Sequence, residues 1–177
     1  MKPWIFALAL GLTTLTSAHA DEALKQAIAG KQRSAANVAR DTARHPYETL
    51  SFLGIKPSMT VVELSPGGGW YTEILAPYLK DHGKLIAAAA DPQSKSEYSK
   101  RSLARFQQKL AEQADVYGKV ELGIFEPGQK IDYAKPASVD MVLTFRNVHN
   151  WIGTGEASMK QVFSTAYTAL KTGGVLG

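Results

Sequence analysis

The rhythm of apolar and polar positions changes near residue 59. Before it, residues 21–44 are rich in Ala, Lys, Arg, Gln and Asp, with Gly30 as a break, and predict one or two helices. Pro46 ends that run, because the residue ahead of a proline is biased away from helical geometry. A short helix over 47–53, stopped by Gly54, and a turn at Lys56-Pro57-Ser58 complete this first part. From Met59 on, short β-branched or apolar runs alternate with helical ones. Strands are predicted over 60–64, 84–90, 119–125 and 139–145. The intervening helices are predicted over 70–79, interrupted by Pro77, and over 94–115, where Leu103, Phe106, Leu110 and Ala114 share one face. The clearest helix carries Met159, Val162, Phe163, Ala166, Tyr167 and Leu170 at i, i+3, i+4, i+7, i+8 and i+11, with Gly173 as its stop. Gly174-Val175-Leu176 opens a fifth strand. Such alternation predicts an α/β fold, a Rossmann-like three-layer sandwich whose mostly parallel sheet has helices on both faces.

The first twenty residues have a different texture. Met1-Lys2 is a short positive region, residues 4–15 are apolar, and Ala18-His19-Ala20 places small residues where a signal peptidase cuts. Twelve apolar residues are too few to span a bilayer, which takes about 20, so 1–20 predicts a cleaved signal peptide and a periplasmic or secreted protein. Its only membrane contact is then the transient one of export. The organisation expected is a signal peptide over 1–20, an N-terminal helical segment over 21–58 and a partial Rossmann-like domain over 59–177.

Composition narrows the function classes. The chain is 177 residues long, with 45% hydrophobic and 20% charged residues, as in ordinary globular proteins. Its net charge of +4 falls to +3 when the leader and Lys2 leave, and the basic residues are interspersed with acids. No phosphate-tracking patch is visible, so nucleic acid is not an expected partner and a small molecule is. The absence of cysteine excludes disulfides, thiolate catalysis and Cys-based zinc sites. His45 and His82 have no metal-ligand spacing, and no metal site is predicted.

The segment VVELSPGGGWYT carries the most chemistry. In open parallel sheets ligands bind beyond the carboxyl ends of the strands, at the switch in strand order, and the loop after the first strand sits there. Gly67, Gly68 and Gly69 let the backbone turn tightly and approach a ligand, and the following helix points free N–H groups into the loop. A bare glycine triplet is equally a turn without a ligand. A P-loop would need Gly-Lys-Ser/Thr where Trp70-Tyr71-Thr72 stands, and a dinucleotide fingerprint would need a glycine at Thr72.

This segment resembles motif I of class I S-adenosylmethionine (SAM)-dependent methyltransferases, written E/D-x-G-x-G-x-G. Three stretches in order, RHPYETLSFLGIKPSMTVVELSPGGGWYTEILAPYL, FRNVHNW and LKTGGVLG, resemble more narrowly a group of exported methyltransferases, over about residues 40–177. The resemblance implies SAM as cofactor. It makes Glu63 the motif acid that helps hold the amino-acid portion, and matches Gly67 and Gly69 to the second and third motif glycines, with Gly68 between them. Ser65 stands in place of the first glycine. The acid that normally bonds the ribose hydroxyls falls on Ala89; the nearest carboxylate, Asp91, serves only if the strand runs two residues longer, and is otherwise a turn cap before Pro92. Glu126 lies either near the adenine or in a turn.

In the same resemblance, substrate and catalytic groups gather after the fourth strand. His149 is a candidate general base and Asn147 a group that orients acceptor or cofactor; Trp151 either walls the pocket or packs the core, and Arg146 is read as well as a surface ion pair. Tyr71 is a candidate pocket residue. Two functions from different classes stand at this point: a SAM-dependent methyltransferase of unknown acceptor, and a non-catalytic periplasmic small-ligand-binding protein that kept the fold. The resembled sheet has seven strands, so the chain is expected to be a fragment with its C-terminal strands missing, unstable or aggregating when expressed alone. A cooperative, monomeric melt of residues 21–177 would overturn that expectation.

Overall fold

Neighbouring valines in one strand, Val61 and Val62, pack into different hydrophobic clusters on the two faces of a sheet. The computed structural model describes residues 11–177, with side chains from Ala20 onward. In chain order the elements are α1 (Gly11–Ile28), α2 (Ala35–Val38), α3 (Asp41–Arg44), α4 (Pro46–Phe52), β1 (Thr60–Leu64), α5 (Thr72–Leu79), β2 (Lys84–Ala89), α6 (Glu97–Glu112) and α7 (Ala114–Tyr117). There follow β3 (Glu121–Glu126), β4 (Lys130–Asp132), β5 (Val139–Leu143), α8 (Val148–Trp151), a 3-10 turn (Ile152–Thr154), α9 (Glu156–Ala169) and β6 (Leu170–Leu176). The first half of the predicted signal peptide lies outside the described residues, and its second half runs into α1.

The sheet order is β4-β3-β2-β1-β5-β6, with every pairing parallel except β3–β4. The order reverses at β1, which has β2 on one side and β5 on the other. Val61, Leu85, Met141 and Leu143 pack with Ile74, Leu75 and Leu79 of α5 and with Leu24 and Ala27 of α1. Val62, Leu64, Ile86 and Val142 pack with Val162, Ala166 and Ala169 of α9. A third cluster joins Ala87 and Ala89 to Leu103 and Phe106 of α6. The small alanines of β2 thus let α6 lie close to the sheet. This is the Rossmann-like architecture expected from the alternation.

Four local expectations change. Residues 21–44 form three helical pieces rather than one or two, with breaks after Ile28 and between α2 and α3. Pro77 does not interrupt α5. A proline leaves the carbonyl four residues earlier without its donor, and here that carbonyl, of Glu73, accepts instead from Gln32 Nε2 at 2.9 Å. Strand β4 was not predicted; Glu126-Pro127-Gly128 is a hairpin turn into a three-residue antiparallel strand. Helix α9 ends at Ala169, and Gly173 (φ 79°) is no helix stop: it lies where the β5–β6 register jumps from Val139↔Leu170 to Met141↔Val175. The left-handed φ at Gly173 lets the chain leave the ladder and rejoin it at Val175.

Candidate cofactor-binding site

A cleft of about 510 Å³ opens at the carboxyl ends of β1, β2 and β3, within the size range of small-molecule sites. Ser65, Pro66 and Gly67 form one wall; Ala89 and Ala90 lie at the end of β2; Phe125, Glu126 and Pro127 lie at the end of β3. Asn147, Asn150 and Trp151 close one side, and Tyr98, Ser99, Ser102, Leu103 and Phe106 of α6 close the other. A smaller cavity of about 40 Å³ shares Ser65, Pro66 and Asn147 with it and reaches Glu63, Arg44, Tyr71 and Phe145. Two further hollows, of about 380 and 660 Å³, lie beside α1, and neither takes a residue from the loops after β1, β2, β3 or β5.

The glycine loop owes its shape to three left-handed residues: Ser65 (φ 52°), Gly67 (φ 58°) and Gly69 (φ 79°). Ser65 therefore takes a conformation usual for glycine, although a side chain there costs about 1–2 kcal/mol. Such local strain concentrates at binding sites. Two bonds hold Ser65 in place: its N–H donates to Ala88 O at 2.9 Å, and its carbonyl accepts from Asn147 Nδ2 at 3.3 Å. A Cβ at Gly67 or Gly68 would meet no protein atom within 4 Å, so open space lies over this part of the loop.

Glu63 sits below the loop, 3% exposed, and accepts from the Thr72 hydroxyl at 2.6 Å. Burial pushes its carboxyl up to about 7, against the opposing pull of the Thr72 bond and the Lys109 charge. Tyr71 is buried and stacks on Phe145, with ring centroids 3.5 Å apart. Burial raises the Tyr71 phenol above its ordinary value.

The candidates separate on this map. Glu63, Ser65, Gly67, Tyr71 and Asn147 all line one or both cavities, while Gly68 and Gly69 shape the loop behind them. Asn147 ties the two strand ends together, donating to Leu64 O, Ser65 O and Thr144 Oγ1, each at 3.3 Å. Trp151 both walls the cleft and packs edge-on against Phe125. His149 is exposed on α8 and lines neither cavity. Asp91 lies outside the cleft as well. Because β2 ends at Ala89, Asp91 falls in the turn, where its Oδ1 accepts from the Gln93 N–H at 2.8 Å.

Glu126 is the buried carboxylate that lines the larger cavity, and it accepts from the Ser94 hydroxyl and from Gln129 Nε2 at 3.1 Å. Ser99 and Ser102 were not singled out from the sequence. The signal that would have found them is their position on the stripe of Leu103 and Phe106, at i, i+3, i+4 and i+7.

Among solved structures, the chain resembles a SAM-dependent methyltransferase from Aquifex aeolicus with a TM-score of 0.53. The two are 17% identical over 70% of this chain and 57% of that one. It also resembles a SAM-dependent O-methyltransferase from Thermotoga maritima, with a TM-score of 0.50 and 17% identity over 87% of this chain and 48% of the other. The fold is that of the SAM-dependent methyltransferases. The chain spans little more than half the length of the first structure and about half that of the second. Comparison with protein-family models finds no match, and comparison with curated proteins finds none. Within this fold, the cleft described above occupies the switch point of the sheet, where β1 lies between β2 and β5.

Proposed function

We propose that the chain is the SAM-binding part of an exported methyltransferase. The observation that carries this reading is the strained loop of Ser65, Gly67 and Gly69 over a buried Glu63, set at the sheet's switch point beside a cleft of about 510 Å³. The residues fit the cofactor's chemistry. Open space over Gly67 and Gly68 admits close backbone approach, Glu63 offers an acceptor to an ammonium, and Ser99, Ser102 and Glu126 offer polar groups beside the apolar Leu103, Phe106 and Trp151. Bound there, SAM supplies an electrophilic methyl group on a sulfonium. Asn147 holds the loop in register, while Leu103, Phe106 and Trp151 exclude water from the cleft. Export by cleavage after Ala20 leaves every one of these residues in the mature chain, together with Leu24 and Ala27 of the core.

One observation favours the second reading, a binding protein without catalysis: among the described residues His149 lines neither cavity, and no other histidine does. The methyltransferase reading requires this cofactor and the binding-protein reading leaves the small ligand open, so the first test is S-adenosylhomocysteine (SAH). At a hundred times its dissociation constant it is expected to stabilise the protein by about 2.7 kcal/mol, seen as a raised melting temperature. A flat response at millimolar SAH would overturn the SAM site. Release of SAH from SAM then separates enzyme from binder.

A further inference from the structure

The small cavity holds a cation that forms no ion pair among the described residues. Arg44, the last residue of α3, lines it together with Glu63, Tyr71 and Asn147. Its guanidinium lies over the Trp70 ring, 4.6 Å from the centroid, and its Nε is buried without a hydrogen-bond partner. The acid on its own helix, Asp41, is already taken by Arg33, whose Nη2 donates to it at 2.7 Å. Burial and the nearby charges of Arg40 and Arg146 weaken the hold of Arg44 on its proton. A half-buried guanidinium among like charges, with an orphaned donor, is costly unless an anion completes it.

Glu63 lines the same cavity with the opposite charge. The two belong to different parts of the chain, one to the N-terminal helices and one to the sheet. Resting on the SAM reading above, we propose that Arg44 receives the α-carboxylate of the cofactor's amino-acid end while Glu63 faces its ammonium. The N-terminal segment thus completes the cofactor site. A guanidinium suits this task because its planar fork matches a carboxylate, and its Trp70 face holds that fork in place.

The test is calorimetric titration of the full chain and of its Arg44→Gln and Arg44→Lys variants. Two probes are used: SAH, and 5′-methylthioadenosine, which keeps the nucleoside and thioether but lacks the amino-acid end. Arg44→Gln is expected to weaken SAH binding about 10- to 100-fold, the range of a hydrogen bond to a charged group. Methylthioadenosine affinity is expected to stay within about twofold. Arg44→Lys, which keeps the charge and loses the fork, falls between for SAH and leaves methylthioadenosine alone. Equal losses for both probes would mean that Arg44 only props Trp70, and no loss for either would place the anion elsewhere; each overturns the proposal. If the unaltered chain binds neither probe, the SAM reading itself fails, and that result is distinct from the other two.

Discussion

Binding of SAH is expected to strengthen up to about tenfold per pH unit as pH rises toward 7, and Glu63→Gln is expected to abolish that dependence. The cause is the burial of Glu63, which pushes its carboxyl up to about 7 from an ordinary 4.5. Below that value the empty site holds a proton, which an incoming ammonium must displace. Isothermal calorimetry in buffers of different ionisation enthalpy should therefore show close to one proton released near pH 6. The same displacement acts on stability. An acid whose folded pKa exceeds its unfolded one contributes stability that is complete below about 4.5 and is lost as pH rises through 7. The gap corresponds to about 3 kcal/mol. Glutamine keeps an acceptor for Thr72 and carries no charge, so Glu63→Gln should melt higher than the parent at pH 8 and close to it at pH 5. Equal destabilisation at both values, or unchanged pH dependence of binding, would overturn this account.

The readability of this fold from sequence followed the range of the interactions involved. β1, β2 and β5 were legible because buried strands are apolar over their whole length, and α9 because its contacts repeat along a single stripe. β4 was not, since Lys130–Asp132 is a strand only through its pairing with Ile124, Phe125 and Glu126. Nothing in three residues alone encodes it. The site divides in the same way. Glu63 and the glycines are adjacent in sequence, so one stretch displays them together, and Ser65 adopts a left-handed backbone usual for glycine. His149 was chosen for its chemistry, but its direction depends on how the short helix α8 leaves β5, which sequence spacing does not give. Glu73 gives no sign of its burial in the sequence. As an acid inside an apolar helix it reads as a surface position, yet it is 1% exposed.

Glu73 is the centre of a buried charge chain, and breaking that chain is expected to cause the largest loss of stability. Its carboxylate accepts from Lys109, whose ammonium also donates to Gly68 O at 3.1 Å. On the other side Arg33, with a fully buried side chain, lies 3.9 Å from Glu73 and donates to Asp41. The chain Asp41–Arg33–Glu73–Lys109 thus joins the N-terminal helices to the glycine loop through α5 and α6. At 3.9 Å, Arg33 Nε and Glu73 Oε2 are too far apart for a hydrogen bond, and both atoms lack one. Their attraction is therefore coulombic, and it stands against the cost of burying both charges. Removing Arg33 leaves the buried Glu73 with one counter-charge fewer, and breaking a buried pair in this way typically costs about 3–5 kcal/mol. Arg33→Met is expected to lose about that much in urea unfolding and to weaken SAH binding, because Asp41 and Glu73 both lose Arg33 as a counter-charge and Glu73 is tied through Lys109 to the glycine loop. Combining it with Glu73→Gln removes the stranded acid, so the double variant should be more stable than the sum of the single losses predicts. A loss below about 1 kcal/mol for Arg33→Met, or strict additivity in the double variant, would show that the N-terminal helices are held by apolar packing of Leu24, Ala27 and Leu50 alone.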